Sequence, residues 1–248
     1  MPHASGDLTE APSDHATEPP RPHPVVDEAM RLLATPGLVV IVGGPGCGRS
    51  TVLHHLGSGF HGPVFHGGGL ATLRSTPAFA LTRALRVRLP TRDPALLAEA
   101  VRSRVRGGLL LLDDLHWADP VTLAALTPLA AHCRVAVALR TPHRLPTSAV
   151  EALRTAATGW LPVPALSPDA AADLARAVAP GLDPIQVADV VARAGGAPLA
   201  VTALARHSGT GPRTATRPAD EQPAVDQLAY AVATALADLT RPARTALA

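Results

Sequence analysis

The chain has 248 residues, 47% of them hydrophobic but only 2% aromatic, so a core large enough for an α/β domain plus a small helical one must be filled by Leu, Val and Ala. A formal charge of +2, carried by 22 basic residues that are all arginine, forms no arginine-dense stripe and gives no footprint for nucleic acid. Two distant cysteines, Cys47 and Cys133, exclude a disulfide framework and fit a reducing cytoplasm, and no apolar run approaches the roughly 20 residues of a membrane span.

Residues 1–24 are rich in Pro, His and acidic residues, lack the basic start and apolar centre of a signal peptide, and read as a disordered tail. From Val25, "VVDEAMRLLA" carries apolar residues at helical spacing and stops before Pro36-Gly37. "LVVIV" then reads as a strand buried on both faces, and the glycine-rich "GGPGCGRS" leads into a helix at "STVLHHL". "GPVFHGG" is a short candidate strand, followed by helices at "PAFALTRALRVRL" and "DPALLAEAVRSRV", the second opened by Asp93 as N-cap and Pro94 in its first turn. "GLLLLDD" is another buried strand. A helix at "DPVTLAALTPLAAH", capped by Asp119, a strand at "RVAVALR", a helix at "AVEALRTAA" and a strand at "WLPVP" complete the pattern.

Strands alternating with helices of this length predict an α/β fold, a parallel sheet with helices on both faces, over residues 25–165. From Ser167 the strands stop. "SPDAAADLARAVA", "DPIQVADVVARA" and "PLAVTALARH" predict a helical subdomain over 166–207. A linker is expected at 208–223, then an amphipathic C-terminal helical segment over 224–248 that looks like the start of a truncated domain.

Two places carry chemistry. Gly43, four residues, Gly48, Arg49 and Ser50 match a phosphate-binding loop except that arginine replaces the usual lysine. Glycines let the backbone turn so that successive N–H groups face phosphate oxygens, and the helix beginning near Arg49 adds its N-terminal dipole. Ser50 would place a hydroxyl on Mg²⁺, and Thr51 would sit near the α-phosphate. The second place is Asp113 and Asp114 at the end of "LLLLDD". One such acid supports a metal shell and the other orients or deprotonates water; adjacent carboxylates at a strand end require a cation or a wet cleft. Both acids also suit a plain turn before the next helix. Arg140 ends its strand where a guanidinium reaches a γ-phosphate or lies exposed in a loop. Trp117 reads as a packing anchor and Cys47 as a loop filler. His54 and His55 face different sides of their helix, which argues against a metal pair.

"GGPGCGRST", "LLLLDDLHWADPVTLAAL", the "LR" of the next strand end and "RAGGAPLAVTAL" together resemble the signal-transduction P-loop ATPases (the STAND class, within or near the AAA+ group), and most of all the ATPase module of large LuxR-type bacterial transcriptional regulators. The resemblance covers roughly residues 25–207. It implies a P-loop NTPase switch in which ADP holds a closed state and ATP opens it for self-association, alone or with full-length regulator partners. It implies that Gly43, Gly44, Pro45, Gly46, Cys47, Gly48, Arg49, Ser50 and Thr51 bind phosphates. Ser50 and Asp113 would then serve Mg²⁺, Asp114 the attacking water, Arg140 the γ-phosphate, and Pro198 of "GGAPL" the adenine side. Read by itself, "GGAP" is a helix-breaking turn.

The departures are Arg49, whose planar fork holds oxygens differently from an ammonium, and a chain that ends before the sensor and helix-turn-helix regions of those regulators, leaving no DNA-reading element to assign. The expectation is an ATP-binding switch with slow Mg²⁺-dependent hydrolysis, in which Arg49 limits turnover. The alternative is a non-hydrolysing nucleotide- or partner-binding module. A small-molecule kinase fits less well, for want of an arginine-rich lid.

Overall fold

The computed structural model describes residues 24–90 and 93–210. Nine helices and five strands are described. A helix α1 (Pro24–Leu32) precedes strand β1 (Gly37–Gly43), and α2 (Arg49–Gly59) follows the glycine loop. Then come β2 (Val64–Gly68), α3 (Phe79–Leu85), α4 (Pro94–Val105) and β3 (Leu109–Asp113). After them lie α5 (Pro120–Ala130), β4 (Arg134–Arg140), α6 (Thr147–Ala156) and β5 (Ala157–Pro162). Helices α7 (Pro168–Val178), α8 (Pro184–Ala194) and α9 (Pro198–Thr210) end the described chain.

The five strands form one parallel sheet in the order β2-β3-β4-β1-β5. Alternation along each strand sends neighbours to opposite faces. Leu38, Val40 and Val42 of β1 join Leu110, Leu112, Val135 and Val137 in one core, closed by residues of α3, α4, α5 and α6. Val39 and Ile41 join Leu109, Leu111, Ala136 and Ala138 in a second core, closed by α1 and α2. Because both faces are covered, the central strands are apolar throughout. The four leucines of β3 are fully buried, each contributing about 2 kcal/mol by transfer from water.

Helices α7, α8 and α9 pack around a third core of small residues, including Ala171, Ala175, Val190, Val201 and Ala205. Four helices start the same way. Asp93, Asp119, Ser167 and Asp183 each accept first-turn N–H groups, and each is followed by a proline whose missing N–H costs nothing there. At Asp183 the Gln186 side chain returns the bond, completing a capping box.

Several boundaries differ from the sequence reading. Pro24, assigned to the tail, is the first residue of α1, a position proline suits. Helix α9 runs through residues 208–210, expected as the start of the linker; at Gly209 a Cβ would lie a tight 3.3 Å from that of Ala179, so the helix passes close to that residue there. Helix α3 is shorter than its apolar pattern, bounded by left-handed residues at Ala78 (φ 55°) and Arg86 (φ 55°). The rest of the expected tail, the remainder of the linker and the 224–248 segment lie outside the described residues.

Candidate functional site

Parallel strands bring their carboxyl ends to one edge of the sheet, and the candidate site residues gather there. Gly43 pairs directly with Arg140 across β1 and β4. On the other side of β4, Leu112 of β3 pairs with Val137, which puts Asp113 and Asp114 just past that ladder. The loop after β4 is tied to the glycine loop, since Thr141 N donates to Gly43 O at 2.9 Å.

The loop from Gly43 to Gly48 turns through two left-handed residues, Gly46 (φ 70°) and Gly48 (φ 98°). Gly46 is also sterically required: a Cβ would sit 2.6 Å from the Leu199 Cβ. That contact belongs to a direct tie between the sheet domain and the helical unit, because Leu199 N at the start of α9 donates to Gly46 O at 3.2 Å. Gly48 caps α2 without a side-chain bond, so the first-turn N–H groups of α2 are left for an anion.

Arg49 is only 9% exposed. Its Nη1 donates to the carbonyl oxygens of Gly43 and Gly44 and lies 3.6 Å from Cys47 Sγ. The guanidinium therefore clamps the loop from inside with one of its nitrogens, leaving Nε and Nη2 for other acceptors.

A cleft of about 640 Å³ opens between this loop and the helical unit. Gly46, Gly48, Arg49, Ser50, Thr51 and Asp114 line its polar end. Pro164, Leu166, Leu174, Pro198 and Leu199 make an apolar wall opposite, with Thr202 of α9 also lining the cleft there and His55 lining it from α2. Thr202 donates its hydroxyl to Pro198 O at 2.9 Å. Asp113 is engaged with the backbone, its Oδ1 accepting from Asp114 N at 2.8 Å, while Asp114 takes up a left-handed conformation (φ 49°). Among the described residues no group of three or more His, Cys, Asp or Glu side chains is placed to hold a metal ion.

Past Asp114, a short 3₁₀ turn (Leu115–Trp117) carries His116, whose ring lies 4.9 Å from that of Trp117. Burial lowers the His116 pKa to about 4, reinforced by the positive fields of Arg49, Arg140 and His143. Burial and the Arg49 charge likewise hold Arg140 below the ordinary arginine range, while Asp114 pulls it up. Asp119 has no part in this cluster: it is 2% exposed, caps α5 through Thr122 N and Thr122 Oγ1, and accepts from Ala78 N at 3.0 Å.

No protein-family model and no curated protein sequence matches the chain. Solved structures do. The chain is similar to Cdc6p from Pyrobaculum aerophilum at 19% identity and TM-score 0.51, over 78% of this chain and 64% of that one. It is similar to the T158V variant of Thermotoga maritima RuvB at 15% identity and TM-score 0.50, over 73% of this chain and 59% of that one. The fold is that of the P-loop NTPases. A STAND protein with a tetratricopeptide repeat sensor from Pyrococcus horikoshii aligns over 83% of this chain and 32% of that one at 16% identity, but its TM-score of 0.45 is too low to add to the assignment. The chain spans less than two thirds of the length of each of these proteins.

Within this P-loop NTPase fold, the structure gathers most of the expected positions around one cleft: the loop from Gly46 to Thr51, Asp114 and Pro198. Arg140 adjoins it through the pairing with Gly43. Sequence reasoning missed Leu199 and the apolar wall from α7, whose side chains carry no motif.

Proposed function

We propose that this chain is an ATP-binding regulatory switch with slow Mg²⁺-dependent hydrolysis. The observation that supports it best is the cleft itself, with a glycine loop and helix N-terminus on one side and an apolar helical wall on the other. Such a site holds a polyphosphate by N–H groups and a flat apolar base by contact. The sequence resemblance supplies the setting, a signal-responsive transcriptional regulator that self-associates.

In this reading the loop from Gly43 to Gly48 and the start of α2 hold the phosphates, with the Arg49 charge beneath them. Ser50 and Asp113 would hold Mg²⁺, which when bound neutralises charge on the phosphate oxygens. Asp114 orients and deprotonates the attacking water, Arg140 meets the γ-phosphate, and Pro198 and Leu199 report occupancy to the helical unit. ATP turnover, measured by phosphate release, should fall about a hundredfold or more in Asp114→Asn, with ATP binding retained. Unchanged turnover would remove Asp114 from the chemistry.

The second reading, a nucleotide-binding module that does not hydrolyse, is favoured by the Arg49 clamp. With Nη1 committed to Gly43 O and Gly44 O, fewer donors are left to follow charge as it develops on the transferred group. Wild-type protein that binds ATP and self-associates without releasing phosphate would decide for it.

A further inference from the structure

We propose that Thr202 reads the base of the bound nucleotide, favouring one with an exocyclic amine, as in adenine, over one with a carbonyl at the same position. The inference rests on the nucleotide reading above and adds a residue to which the sequence motifs assign no role. Along the far wall of the cleft, Pro164, Leu166, Ala170, Leu174, Pro198 and Leu199 offer no side-chain donor or acceptor. Among the described residues Thr202 is the polar side chain on that wall, with His55 lining the cleft from α2.

The orientation of the hydroxyl decides what it can bind. Thr202 Oγ1 donates to Pro198 O, one turn back on α9, at 2.9 Å. A carbonyl oxygen only accepts, so the hydroxyl proton is committed to that bond. Oγ1 keeps its lone pairs and meets a ligand as an acceptor. An amine brings a donor to them. A carbonyl brings a second acceptor, and the hydroxyl can turn to meet it only by giving up Pro198 O.

Position along the cleft gives this contact to the base rather than to the phosphates. Leu199 N is bonded to Gly46 O, so α9 starts against the phosphate loop. Thr202 is three residues on, about 5 Å farther along the helix at 1.5 Å of rise per residue. On the facing side, His55 stands one turn past Thr51 on α2. The cleft therefore continues past the loop between α2 and α9, and its volume of about 640 Å³ suits a nucleoside as well as its phosphates. With the phosphates on the loop and the first turn of α2, the base falls beside Thr202. Guanine is disfavoured twice. Its O6 meets the same lone pairs, and the one carboxylate among the described lining residues, Asp114, stands at the polar end, away from its N–H groups.

The test is calorimetric titration of wild type, Thr202→Val and Thr202→Ser with ATP, inosine triphosphate and inorganic tripolyphosphate, all with Mg²⁺, and with thermal melts to establish folding. Inosine triphosphate is ATP with the 6-amine replaced by a carbonyl, and valine keeps the branching of threonine without its oxygen. One hydrogen bond made against one left unmade corresponds to about tenfold in affinity. The expected result is that wild type binds ATP about tenfold more tightly than inosine triphosphate. That preference falls to about twofold or less in Thr202→Val and survives in Thr202→Ser, while tripolyphosphate binding changes less than about twofold throughout. The wild-type ratio needs no variant, and Thr202→Ala takes the place of a valine variant that does not fold. Equal binding of the two nucleotides by wild type overturns the proposal and leaves the nucleotide reading standing. So does a preference that persists in the oxygen-free variant, including one in which both nucleotides weaken together because Oγ1 serves the ribose. Binding of tripolyphosphate without either nucleotide, or of none of the three, overturns the nucleotide reading and the proposal with it.

Discussion

Arg49 has five N–H donors, and one of its nitrogens is spent on the carbonyl oxygens of Gly43 and Gly44. A lysine ammonium could also donate to two carbonyls, but Arg49 keeps its Nε–H and its second terminal nitrogen for further acceptors. Its field is felt at His116 and Arg140, which makes the protonation of this edge sensitive to anything that moves it. His116 has a consequence for stability. Its pKa is about 4 in the folded chain against 6.5 for a free imidazole, so below 6.5 the unfolded chain binds the proton first. The sign is therefore fixed: this group's contribution is complete above 6.5 and is lost as pH falls toward 4. Urea unfolding at neutral pH and at about pH 5 should show wild type losing more stability than His116→Gln. Equal losses would mean that the imidazole titrates normally in the fold.

At the scale of elements, the strands carry most of what the sequence reveals. β3 is legible because a short run of four leucines between Gly107-Gly108 and two acids is too brief for a buried helix and suits a strand buried on both faces. The caps at Asp93 and Asp119 are legible because an acid followed by proline has a local reason to be there. What Asp119 does beyond its helix is not legible: its acceptance of Ala78 N, from 41 residues earlier, depends on packing. Asp119→Ala removes that bond and both bonds to Thr122, which should cost about 2–3 kcal/mol and lower Tm by roughly 5–10 °C. An unchanged Tm would mean that α3 and α5 are held together by apolar contact alone. The ends of α3 and β5 were misread for a related reason. Apolar spacing continues through Val87 and Leu89 although the backbone leaves the helix at Arg86, and α6 passes into β5 at Ala157 without any turn residue to mark the change.

At the scale of the whole molecule, two units with separate cores meet over a glycine loop. The helical unit touches that loop through the backbone of Leu199, so anything that reorders the loop must either carry α9 along or break the bond to Gly46. In the proposed function, this tie is the route by which occupancy of the cleft would move the helical unit. The loop, the acids and Pro198 were visible in the sequence because each breaks a local pattern. The apolar wall was not, because ordinary side chains such as Leu166, Leu174 and Leu199 come together only when the sheet edge and the helical unit meet.

The most direct test is binding of a fluorescent ATP analogue, with and without Mg²⁺, to wild type and to Arg49→Ala, with far-UV circular dichroism to confirm that both are folded. An ATP-binding loop braced by Arg49 requires Mg²⁺-enhanced binding by wild type that weakens more than about tenfold in Arg49→Ala, since both the loop brace and its charge are lost. Absence of binding by folded wild type, or equal binding by the two proteins, would contradict it.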